Sequence, residues 1–229
     1  MRFQDAAKDA RAIVYAGIQA DPLVARAGAL LAESTTAERL LARAAMNGER
    51  TDVDTWRRIF PTLFGEDVEE QLRSHAELVL AASLEVAGRG EAARSSYRGA
   101  IVEELAARLL ARRAGADAPV KRERRVLFDG VRAEIHPYAV TVESAERPEV
   151  YDCKWGARGI NADVLNQLYD ARSHAADEEM QMRGAIVVFD ARRSCEIRLD
   201  RSTANHDGTG LVALESLDEL GRPPGKAKP

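Results

Sequence analysis

The chain has 229 residues, with 33 basic against 37 acidic side chains, a formal charge of −4, and 45% hydrophobic and 31% charged residues. That length permits one good core, or a compact domain beside a smaller helical one, and the composition excludes a disordered chain. The charge excludes a uniformly basic nucleic-acid coat. The mixed-charge start and the shortness of apolar runs such as 185–189 exclude a secretory signal and a membrane span, so a cytoplasmic location without membrane contact is expected.

The first half reads as helix. Apolar residues recur at steps of three and four, at Ile13, Ala16 and Ala20 and then at Leu23, Ala27, Leu30 and Leu31, and Asp21-Pro22 places a cap and a first-turn proline between the two segments. A third helix starts at Thr35 or Thr36 and ends at Asn47-Gly48. A short helix over 52–60 stops at Pro61, a long one over 67–87 ends at Gly88, and another over 92–113 ends near Gly115. Residues 1 to 117 are thus expected to be mostly helical.

After Asp117-Ala-Pro119 the texture turns to β. Residues 125–128, 131–143 and 149–154 are short segments rich in branched or aromatic side chains, separated by Asp129-Gly130 and by the turn 144–148. Helix returns over 161–182, capped by Asn161 or Asp163, and 184–189 is a continuous apolar run of the kind found in a buried strand. A polar loop over 198–210, a short element over 211–220 and a frayed tail over 221–229 complete the chain. The expected architecture is α/β (α+β), with an all-helical N-terminal region over 1–90 and a mixed-sheet domain flanked by helices over 91–220. The two cysteines, Cys153 and Cys195, lie on separate strand-like segments without C-x-x-C spacing, so neither a disulfide framework nor a zinc site is expected.

Two features carry chemistry. Only five of the basic residues are lysines, and Lys154 alone stands in the 104 residues between Lys121 and Lys226. An amine two residues after Asp152, in a chain that otherwise writes arginine, points to a position that needs a compact, titratable charge. The second feature is the window 108–125, which holds Arg108, Arg112, Arg113, Lys121, Arg122, Arg124 and Arg125 against Asp117 and Glu123. It reads either as a solvated helix end with a polar loop or as a phosphate-contacting patch.

On a strand, residues two apart share a face, so Asp152 and Lys154 point one way and Cys153 and Trp155 the other. Glu134 and His136 share a face of the preceding strand, and antiparallel pairing across the turn 144–148 brings the two polar sets together. Clustered carboxylates at one strand mouth suit a hard cation such as magnesium, and a neighbouring lysine suits activation of the attacking water in phosphoester hydrolysis. The same triplet also fits a surface ion pair.

The order of these residues resembles the PD-(D/E)XK nuclease superfamily, in particular its Mrr-like restriction endonuclease branch. Residues 98–110, Arg-Gly-Ala-Ile-Val-Glu-Glu-Leu-Ala-Ala-Arg-Leu-Leu, with Gly115 beyond, are similar to the family's helix with a glutamate, placing Glu103 at that position. Asp152-Cys-Lys154-Trp resembles the acid-x-Lys strand, and residues 163–176 with 184–189 resemble the helix and strand that follow. The likeness covers about residues 95–190. Where the family's first-strand acid aligns, this chain has His136, with Glu134 one pleat earlier on the same face.

The resemblance implies a restriction-endonuclease-like sheet and a magnesium-dependent nuclease acting on DNA, in bacterial restriction or antiviral defence. It implies catalytic roles for Lys154, Asp152, Glu134 and Glu103, and metal ligation by Asp152, Glu134 and His136, the histidine favouring Mn2+. Nucleic acid is expected to contact Arg113, Arg122, Arg124 and Arg125, and the N-terminal helices to serve as a homodimer or partner-protein module. The alternative is a catalytically inactive nuclease-fold subunit that binds nucleic acid or a partner protein.

Overall fold

In a computed structural model, which describes residues 1–6, 10–48, 52–131 and 137–223, the chain is a mixed α/β protein. It divides into two compact units, Asp9–Leu105 and Met1–Lys8 with Ala106–Pro229. The division falls within one long helix, whereas the sequence suggested a boundary near residue 90, and the first residues of the chain belong with the sheet.

The first unit is helical. Its elements are α1 (Ala10–Gln19), α2 (Pro22–Glu33), α3 (Thr36–Asn47), α4 (Val53–Ile59), α5 (Pro61–Phe64), α6 (Glu70–Ala87) and the first part of α7 (Glu91–Arg113). Asp21 caps α2 by accepting the Leu23 N–H at 2.8 Å, with Pro22 in the first turn. Thr35 and Glu38 form a reciprocal capping box at the start of α3. Pro61, expected only to stop a helix, both stops α4 and starts α5. Leu41, Ala45, Trp56, Leu63, Ala76 and Leu80 make a core of this unit. Gly28 lies where a Cβ would meet Glu104 Cγ at 2.4 Å, so α2 and α7 approach closely because that position has no side chain.

The second unit is built on a six-stranded sheet in the order β1-β2-β3-β4-β5-β6. The strands are β1 (Arg2–Asp5), β2 (Val120–Leu127), β3 (Tyr138–Val142), β4 (Glu149–Lys154), β5 (Arg183–Val188) and β6 (Gly210–Val212). Neighbours from β1 to β4 pair antiparallel, and β4, β5 and β6 run parallel. Parallel neighbours need a crossover, supplied by α8 (Ala162–Asp177) between β4 and β5 and by α9 (Arg192–Asp200) between β5 and β6. Val150, Ile186 and Val188 pack with Leu165, Leu168 and Ala171 of α8 into a core of this unit.

Several elements differ from what the sequence pattern suggests: β2 starts at Val120 where a strand is expected from 125, α8 ends at Asp177 and not at 182, and α9 runs into the expected polar loop over 198–210. Residues 2–5 form a strand paired with β2, Arg2 opposite Leu127, and Cys195 lies buried on α9 and not on a strand. Both cysteines are free and buried. Among the described residues no helix is long and apolar enough to cross a membrane.

Candidate functional site

β4 runs between antiparallel β3 and parallel β5, and its register places Asp152 beside Ile186 and Lys154 beside Val188. Val150 and Tyr151 are fully buried, but toward the carboxyl end the strand opens, and Asp152 and Lys154 reach solvent with side chains 17% and 29% exposed. Lys154 Nζ donates to Asp152 Oδ1 at 2.8 Å. The pair thus shares one face, as the two-residue period requires, at the end of a parallel strand where open α/β sheets place their ligands.

The surroundings hold this pair in place. The Phe189 N–H donates to Lys154 O at 2.9 Å, and Trp155 stacks on Phe189 with ring centroids 5.0 Å apart. The turn after β4 carries Gly156 and a short 3-10 helix, Ala157–Gly159, before Asn161 caps α8 through the Val164 N–H. Asp190, at the end of β5, ties that turn to its own loop. Its carboxylate accepts the Ala157 N–H at 3.0 Å and the Ala191 N–H at 2.8 Å. Asp190 was not among the residues expected from the sequence, although an acid immediately after an apolar strand that follows an acid-x-Lys strand is a signal the sequence carries.

The opposite face of β4 carries a different cluster. Arg113, at the end of α7, forks onto Glu149, with Nη1 donating to Oε1 at 2.9 Å and Nη2 to Oε2. Tyr151 also donates its hydroxyl to Glu149, and Arg113 Nε donates to Leu220 O at 2.7 Å. Burial raises the Glu149 pKa, but the hydrogen bonds from Arg113 and Tyr151 and the charges of Arg113 and Arg183 outweigh it and hold the carboxyl below its ordinary range. Burial, with the Glu149 charge beside it, pushes the Tyr151 phenol well up.

The remaining sequence-predicted residues fall into three groups. Glu103 belongs to the helical unit, where its oxygens accept hydrogen bonds from Tyr15 Oη and Gln19 Nε2 of α1, both at 2.7 Å. Glu134 and His136 lie outside the described residues. Among the basic positions, half-buried Arg113 has its side chain engaged in the Glu149 pair, and Arg124 is buried on β2, where it pairs with Glu143 at 2.6 Å and with Asp5. Both guanidinium groups already face carboxylates. Arg122 and Arg125, also on β2, are half-buried and keep solvent contact. Among the described residues no three His, Cys, Asp or Glu side chains gather as a metal site.

A solved structure, protein VC1899 from Vibrio cholerae, is similar to this chain at 17% identity with a TM-score of 0.47. The similarity covers 88% of this chain and 55% of that one, so the chain spans about half the length of that structure. No protein-family model and no curated protein matches the chain.

Proposed function

We propose that the sheet unit is a metal-dependent nuclease domain that hydrolyses phosphodiester bonds, with DNA as its substrate and Asp152 and Lys154 as its working pair. The observation that carries this reading is the contact of Lys154 Nζ with Asp152 Oδ1, 2.8 Å long and open to solvent at the carboxyl end of a parallel strand. A carboxylate and an ammonium so placed offer a hard oxygen ligand and a compact point charge with three donors.

Asp152 fits a magnesium or manganese ion as one ligand, and Glu134 and His136 are the residues assigned to complete the set. When bound, the ion supplies Lewis-acid stabilisation of the charge that develops on the phosphoryl oxygens. Lys154 contributes its own part. Its ammonium neutralises a non-bridging phosphate oxygen or orients the attacking water, and Asp152 fixes where that ammonium stands. Arg122 and Arg125, two strands away on β2, supply phosphate contacts along the backbone of the substrate. The helical unit is assigned a docking role toward a second copy or a partner, in restriction or antiviral defence.

The test is cleavage of supercoiled DNA, linear DNA and RNA in Mg2+ or Mn2+ by the wild type, Lys154→Ala and Asp152→Ala. Cleavage of DNA by the wild type, with each variant weaker by on the order of 10²-fold or more, supports the reading. Equal products from all three proteins sink it. Intact DNA that is nevertheless bound in a salt-sensitive way replaces it with the inactive, nucleic-acid-binding subunit.

A further inference from the structure

The lysine of β4 owes its position to a residue without a side chain. An ideal Cβ on Gly159 would lie 2.8 Å from Lys154 Cβ, 2.8 Å from Cγ and 2.9 Å from Cδ. The glycine backbone therefore lies against the whole inner stem of the lysine. These are the atoms nearest the β4 backbone, not the free end of a flexible chain, so they cannot swing aside without carrying the ammonium with them. Gly159 is also the last residue of the 3-10 turn whose first N–H, from Ala157, is held by Asp190 at 3.0 Å. A second N–H, from Ala191, fixes the other oxygen of the same carboxylate at 2.8 Å, and Leu214 N–H donates to Asp190 O at 3.0 Å. Asp190 is thus anchored on three sides and transmits the position of β5 to the turn.

We propose that Gly159 is the positioning residue for Lys154, and that Asp190 sets Gly159 by holding its turn, so that the ammonium is directed onto Asp152. The catalytic consequence rests on the nuclease reading; the geometric one does not. Any side chain at 159 displaces the lysine stem by on the order of 1 Å, the distance by which the Cβ approach falls short of ordinary carbon contact, and a displacement of that size costs on the order of 10²-fold in a positioned reaction.

Lys154 can be observed independently of DNA cleavage, because its amine is acylated in competition with the other lysines and arginine-specific digestion separates it from them. Lys121 is the internal reference, 47% exposed and 3.5 Å from its Glu143 partner, against 29% and 2.8 Å for Lys154 and Asp152. Limited acetylation of the folded full chain, read by mass spectrometry, is expected to label Lys154 more slowly than Lys121. Gly159→Ala is expected to raise Lys154 labelling several-fold with Lys121 unchanged, and Asp190→Asn, which keeps the size but removes one acceptor, to raise it in the same direction by less. In the cleavage assay, Gly159→Ala is expected to lower kcat by on the order of 10²-fold with DNA affinity unchanged.

Unchanged Lys154 labelling in folded Gly159→Ala overturns the proposal, and if that variant does not fold, unchanged labelling in Asp190→Asn does so. Changed labelling in a protein whose wild type cleaves nothing upholds the positioning role and removes the nuclease reading.

Discussion

Arg113 and Glu149 meet as a two-pronged ion pair with both side chains only 6% exposed, which joins the end of α7 to β4. Removing one charge from such a pair strands the other in a low-dielectric setting. Arg113→Ala is therefore expected to destabilise the sheet unit by about 3 to 5 kcal/mol, and Glu149→Ala by a similar amount. An apolar double replacement, Arg113→Met with Glu149→Leu, is expected to cost far less than either single change. Urea midpoints at neutral pH check both statements. Equal losses in the single and double variants would show that the pair stabilises through its shape alone.

The same pair gives stability a pH dependence with a definite sign. Glu149 is held below its ordinary value of 4.5. A carboxyl with a depressed folded-state pKa contributes stability that is fully present above the unfolded value and is lost as pH falls through the folded one. Wild type is accordingly expected to lose stability more steeply than Glu149→Gln as pH falls from about 6 to about 3. Parallel curves for the two proteins in urea titrations would mean that Glu149 titrates alike in both states.

Much of the architecture was legible because it rests on local signals. The proline and glycine punctuation, the Asp21 and Thr35 caps and the three-and-four spacing marked α1 to α4, α6 and α7 within a few residues, since each depends on neighbours along the chain. What escaped depends on distant partners. The segment 2–5 has no strand pattern of its own and becomes β1 only because β2, more than a hundred residues away, offers an edge, with Phe3 opposite Val126. Asp152 and Lys154 were found through their spacing, which fixes a shared face. Gly159 was not, because its importance lies in a contact with Lys154 that no local pattern encodes, and Asp190, though its place after an apolar strand is a pattern, acts through the distant Ala157 N–H. Arg113 and Arg124 show the opposite error. A run of basic residues reads as a surface patch until the tertiary structure brings carboxylates to several of its members, Arg113, Lys121 and Arg124 among them.

The solvent contact that Arg122 and Arg125 keep, against the burial of Arg124, predicts how nucleic-acid binding responds to mutation. Arg122→Ala with Arg125→Ala is expected to weaken DNA binding and to reduce the slope of log K against log salt by about 0.9 for each phosphate that the variant no longer neutralises. Arg124→Ala is expected to act first on stability, because it deprives the part-buried Glu143 of its 2.6 Å partner. Fluorescence anisotropy across a salt series, with a thermal melt of each variant, separates the two effects. An unchanged slope in the double variant would place the phosphate contacts elsewhere.

Lysine at position 154 is the strictest case, because the chain writes arginine at 28 of its 33 basic positions and lysine here. The stem lies against Gly159, and the ammonium donates to Asp152 at 2.8 Å, so a compact charge stands beside one carboxylate oxygen. A guanidinium is planar, broader and permanently charged, and it would either fork onto Asp152 or be pushed away from it. Lys154→Arg is therefore expected to bind DNA as the wild type does and yet to cleave no faster than Lys154→Ala, within about tenfold. Single-turnover cleavage beside anisotropy measures the two separately. Cleavage by Lys154→Arg near the wild-type rate would mean that any cation suffices at this position.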